Sequence, residues 1–113
     1  MNDSQEPWFA ARCIFCHLLA GTETTFEERI VLLRAASEED AFRLAEEDAG
    51  EYAAGLEGCV YTGFVDLFHL FETEVGHRTE VFSLMRSSDL SEQEYLNRYY
   101  NTGLEHWRTE PEQ

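Results

Sequence analysis

The sequence predicts an α+β fold: a two-layer sandwich in the order ββαββα, with a four-stranded antiparallel sheet and two helices on one of its faces. Three observations lead there. Four stretches rich in β-branched and aromatic residues have the make-up of pleated strands. Two serines, Ser37 and Ser91, stand where helix starts are signalled. The connections between these stretches are short, which favours antiparallel neighbours, and helices that follow hairpins tend to lie on one side of a sheet.

Residues 1–7 are polar, end in Pro7, and read as a flexible arm ahead of one domain over residues 8–103. The first strand is expected from Trp8 to Leu19. Phe9, Ala11, Cys13 and Phe15 fall on one parity; Trp8, Ala10, Ile14 and Cys16 fall on the other, interrupted by Arg12. Ala20 to Thr25, with Gly21 and three threonines, reads as a hairpin connection. Phe26 to Ala35 is the second strand; its centre is apolar on both parities, so its β-branched pair argues strand rather than any alternation.

Ser37 is placed as an N-cap, followed by Glu38, Glu39 and Asp40, acids that suit the positive end of a helix. Ala41, Ala45, Ala49 and Tyr52 then recur at helical spacing, flanked by Phe42 and Leu44. Glu39, Arg43, Glu46, Glu47 and Glu51 make the opposite face, and Gly55 or Gly58 ends the helix. Cys59 to Phe71 is the third strand and the longest apolar one. Tyr61, Val65, Leu67 and Phe71 stand on one parity, Val60, Phe64, Phe68 and Leu70 on the other. A strand apolar on both faces is expected inside a sheet and covered on both sides. Asp66 and His69 are its polar exceptions, one on each face.

Glu72 to Arg78 is an acidic loop and Thr79 to Arg86 the fourth strand. Ser91 and Glu94 form a capping box, with Leu90 and Tyr95 at the staple positions around it. Tyr95, Leu96 and Tyr99 supply the apolar stripe of the second helix, and Gly103 its C-cap. Residues 104–113 read as a tail in which Trp107 packs and the Pro111 end frays.

A chain of 113 residues with 43% hydrophobic residues is of single-domain size and can bury a core without staples. Its net charge is −15, from 23 acids against 8 basic residues, every one of them Arg. That balance repels phosphate backbones and anionic lipid, so neither a nucleic acid nor a membrane surface is expected as a partner. It suits a basic protein; plain solubility is its other meaning. Cys13, Cys16 and Cys59 make an odd count and a poor disulfide framework. The opening Met-Asn-Asp-Ser-Gln-Glu-Pro lacks the features of a signal peptide, and no apolar run approaches the ~20 residues of a membrane span. A reduced, cytoplasmic setting is expected.

Cys13-Ile-Phe-Cys16-His17 spells the C-x-x-C-H pattern of covalent haem attachment. On a strand, however, residues three apart point to opposite faces. Zinc would need four converging ligands, and a second C-x-x-C is missing. Buried strand cysteines are the reading, with no metal and no cofactor expected. Nucleophile-elbow, phosphate-loop and H-E-x-x-H patterns are absent too, so no catalytic residue is assigned. The candidate binding cluster is Arg12, Glu28, Asp66, His69 and Glu80. A carboxylate among phenylalanines must be paired or have its pKa raised. The cluster is therefore either an Arg–Asp pair that satisfies the sheet's uncovered face or crosses a dimer interface, or the polar lining of a small-ligand or enzymatic site.

With both helices on one side, the other face of the sheet must bury Trp8, Ile14 and Phe64 against something. Such patches mark interfaces, and a symmetric dimer is the commonest solution.

The runs Trp8-Phe-Ala-Ala-Arg, Phe26-Glu-Glu-Arg-Ile-Val-Leu-Leu-Arg-Ala and Ser37-Glu-Glu-Asp-Ala, then Phe64-Val-Asp-Leu-Phe-His-Leu and Thr79-Glu-Val-Phe-Ser-Leu, resemble a small bacterial family catalogued as domain of unknown function 4288. The likeness covers roughly Trp8 to Arg86, with recurrent positions at Trp8, Glu28, Arg29, Asp66, Glu80 and Val81. It implies a compact bacterial domain with no assigned activity, and C-x-x-C-H is not part of its pattern. Two functions are expected to compete. The first is a non-enzymatic protein-binding module of the inhibitor or immunity-like kind, acting as a homodimer and docking a basic protein. The alternative is a small-molecule-binding or enzymatic domain that uses the polar cluster.

Overall fold

β1 (Trp8–His17) is the middle strand of a three-stranded antiparallel sheet, flanked by β2 (Thr25–Arg34) and β3 (Cys59–His69). The computed structural model describes residues 6–18 and 24–105. Residues 1–5 of the expected arm, the tip of the expected hairpin, Trp107 and Pro111 lie outside that range. The chain divides into two compact units, Met1–Ser83 and Leu84–Gln113.

In the first unit the β1–β2 register runs unbroken from Trp8 opposite Arg34 to His17 opposite Thr25. The β1–β3 register shifts between Cys13 and Phe15, which oppose Val65 and Tyr61. Extra β3 residues are thus accommodated in a bulge. Gly63 sits there at φ 91°, a left-handed conformation that a side chain would strain. Thr62 Oγ1 donates to the Ile14 carbonyl at 2.8 Å and accepts from Phe64 N at 3.2 Å, so the bulge keeps hydrogen bonds the ladder drops.

α1 (Glu38–Ala54) starts as its sequence demands: Ser37 Oγ accepts from Asp40 N at 3.1 Å. Ala41, Ala45 and Ala49 repeat every fourth residue and are fully buried, so the helix approaches the sheet on a methyl stripe. Beneath it Phe9 packs with Ala35 and Ala41, and Cys13 and Phe15 pack with Ala49. The core is this α1–sheet layer, and no helix among the described residues of the first unit lies on the sheet's other face. Phe42, expected beside the apolar stripe, is exposed.

Two expectations are corrected here. Segment 59–71 is not interior; β3 is an edge strand, and the middle position belongs to β1. Nor is there a fourth strand among the described residues: the sheet has three there, and Thr79–Arg86 is irregular with no ladder partner. Both errors share one cause. Alternation reports which faces a side chain can bury, whereas a strand's place in the ladder depends on backbone pairing.

In the second unit α2 (Glu92–Tyr99) opens with the expected capping box: Glu94 N donates to Ser91 Oγ at 3.2 Å and Ser91 N to Glu94 Oε1 at 3.1 Å. It ends earlier than Gly103, because Tyr100 N and Asn101 N both turn onto the Leu96 carbonyl, at 2.8 and 2.7 Å. Arg86 lies over the Tyr99 ring at 4.3 Å and donates to Tyr95 Oη at 3.1 Å, tying the segment before the helix to its tyrosines. Among the described residues, no helix is long and apolar enough to cross a membrane.

Candidate functional site

Register sorts the side chains of β1 onto two faces. Phe9, Ala11, Cys13, Phe15 and His17 look toward α1, while Trp8, Ala10, Arg12, Ile14 and Cys16 look away from it. On that open side Trp8 lies under the Arg34 guanidinium, 4.5 Å from its carbon, and is half-buried. Arg12 reaches both edge strands: Nη2 donates to Asp66 Oδ2 at 3.1 Å and Nη1 to Glu28 Oε1 at 3.4 Å. Phe82 closes over this pair, 5.2 Å from the Arg12 guanidinium carbon and 5.8 Å from the Phe68 ring.

Three members of the expected polar cluster, Arg12, Glu28 and Asp66, therefore meet. Two do not join them. His69 stacks on Phe9 at 4.8 Å, on the helix side of the sheet, and Glu80 is exposed in the irregular segment. Of the expected interface residues, Trp8 and Ile14 are half-buried and Phe64 is exposed. Phe26, Ile30 and Leu32 of β2 and Val60 of β3, all on the open side by register, are exposed as well. They form an apolar patch larger than the three residues expected.

A second polar network lies on the helix side. His17 Nε2 donates to Glu27 Oε1 at 2.8 Å, and Tyr52 Oη donates to both Glu27 oxygens at 2.9 Å. Arg29 lies over the Tyr52 ring at 4.0 Å and donates to Asp48 at 2.8 Å. Desolvation pushes the Glu27 carboxyl up, but the bonds from His17 and Tyr52 and the electrostatic influence of His17 and Arg29 outweigh it. The result lies below the ordinary carboxylate range. Tyr52 is raised by burial and by the carboxylate it faces, and Tyr61 likewise by burial and by its 2.8 Å bond to Glu46. Sequence reading missed this network because β2 is apolar on both parities at its centre. The antiparallel register that sets Trp8 opposite Arg34 also sets Glu27 opposite Phe15 and Arg29 opposite Cys13, and no side-chain pattern in β2 signals it.

The cysteines of C-x-x-C-H fall on opposite faces, Cys13 buried under α1 and Cys16 on the open side, while His17 is held by Glu27. Burial raises the Cys13 thiol; burial, then Glu27 and Cys16, raise that of Cys59. Both are poor nucleophiles near neutral pH. No group of three or more His, Cys, Asp or Glu side chains able to hold a metal occurs among the described residues.

Residues 8–83 match the family described as Domain of unknown function (DUF4288). No curated protein and no solved structure matches the chain.

Proposed function

Given that the chain belongs to the DUF4288 family, whose description assigns no activity, we propose from its own surface that it is a non-enzymatic, homodimeric protein-binding module that docks a basic protein in a bacterial cytoplasm. The observation that carries this is the separation of charge from grease. α1 bears acids in its first turn and again from Glu46 to Glu51, against Arg43 alone. The open side of the sheet bears the exposed apolar patch instead. Acids on one side steer a basic surface and set its rate of encounter, as in inhibitor and immunity-like proteins. Apolar groups on the other side favour a lasting contact. Three unpaired cysteines fit a reducing compartment.

The test is titration of the immobilised full-length chain with basic proteins of its host at low and high salt. Tight binding that weakens with salt is expected. Replacing Glu39, Glu47 and Glu51 by Gln should lower the association rate about tenfold, without altering the sheet. Failure of every basic protein to bind at low salt removes the docking reading.

A second reading is a small-ligand or enzymatic site beside Arg12, and one observation favours it. Arg12 Nε is buried without a hydrogen-bond acceptor among the described residues. A thermal-shift screen of metabolites and nucleotides decides it. A uniformly flat response, or a shift that survives Arg12→Met, removes this reading.

A further inference from the structure

The open side of the sheet is not evenly bare. Phe82 covers the stretch over Arg12 and Phe68, and Ala10 is fully buried. Elsewhere Phe26 is 63% exposed, Ile30 47%, Val60 46% and Phe64 51%. Cys16 lies between the first and third of these, opposite Phe26 on one side and Val60 on the other.

Charge decides what can cover this ground. Two chains of net charge −15 repel one another along most approaches. The charged side chains that register places on the open side are Arg12, Arg34, Glu28 and Asp66, two of each sign, with Arg12 already tied to both acids. This is the face on which two copies can meet without acids confronting acids, and a basic partner gains nothing from it electrostatically. Resting on the homodimer reading above, we infer that the patch of Phe26, Ile30, Val60 and Phe64 is the seat of a second copy of this chain, with both α1 helices outermost.

The contact is small. Three strands of this length span about 33 Å by 14 Å, roughly 450 Å² in projection. Part of that already lies under Phe82, whereas standard interfaces bury ~800 Å² per partner. A dimer that dissociates in the micromolar range, on the order of 10 µM, follows.

The full-length chain supplies its own reporter. Sedimentation velocity and maleimide labelling, read by peptide mass, are run from about 1 to about 300 µM protein, bracketing that constant. The mass is expected to rise from 13.1 kDa toward twice that value. Cys16 should label about fivefold more slowly at the top of the range, by mass action. Cys59, which packs on the helix side, should label at an unchanged rate. Ile30→Glu and, separately, Phe26→Ser should hold the mass at 13.1 kDa and remove the concentration dependence. Both positions are exposed, and circular dichroism checks that each variant folds. If Ile30→Glu does not fold, Phe26→Ser and the wild-type labelling decide. A mass of 13.1 kDa throughout overturns the inference. So does a dimer that leaves the Cys16 rate unchanged, since its seat is then elsewhere. None of these readouts involves a basic partner, so failure here and failure of docking are separate results.

Discussion

At the scale of single residues, Glu27 of β2 ties three elements together on the helix side. It joins β1 through His17 to α1 through Tyr52, and Arg29 continues the chain to Asp48. Its folded pKa is lowered, so its carboxylate stabilises the fold above the unfolded value of ~4.3. That contribution is lost as pH falls through the lower, folded value. Glu27→Gln is accordingly expected to cost about 1–2 kcal/mol near neutral pH. The gap from wild type should close toward pH ~3, as read by urea unfolding at each pH. Arg12 and Asp66 present a different case. Their side chains are 20% and 32% exposed, between a surface pair and a buried one. A double-mutant cycle with Arg12→Met and Asp66→Asn should give a coupling of about 1–2 kcal/mol. A value near zero would mean that Glu28 and Phe82 hold Arg12 in place without Asp66.

At the scale of elements, α1 is the part most openly written in the chain. Ser37, the acids after it and the four-residue alanine repeat each point to the same helix, and its start is found where they place it. The repeat has a mechanical meaning as well. With Ala41, Ala45 and Ala49 at 0–1% exposure, no room is left for a larger side chain between helix and sheet. Ala45→Leu should therefore destabilise by about 1–3 kcal/mol, measured by thermal unfolding. Strand positions were far less legible. Val60, Phe64 and Phe68 on one parity and Tyr61, Val65 and Leu67 on the other truly make β3 apolar on both faces, yet β3 is an edge. Grease on two faces is compatible with an edge when the sheet's second face is itself apolar. In Thr79–Arg86 the strand-like composition serves a different end, because Phe82 packs onto the open side while Val81 is exposed.

At the scale of the whole molecule, charge and apolar surface oppose each other. A net charge of −15 keeps copies apart, while the patch on the sheet draws them together. Salt screens the first and leaves the second, with a Debye length near ~10 Å at 0.1 M. Raising sodium chloride should therefore strengthen self-association by several-fold while weakening capture of a basic protein. Light scattering on the chain alone, set beside the binding titration, reads both. If the two responses move in the same direction, the division of labour between helix and sheet is wrong.

From the chain alone one can read the α+β class, both helix starts, and the likeness to DUF4288 over most of the sheet and α1. These depend on neighbours in sequence or on residue chemistry, and both are printed in the order of the letters. Only tertiary structure decided that β1 is central, that three strands and not four form the ladder among the described residues, and that His69 stacks on Phe9. It also decided that Glu27, Tyr52 and Arg29 interlock. Those outcomes depend on which backbone edges find partners, and hydrogen bonds between strands carry no signature in the side chains that flank them.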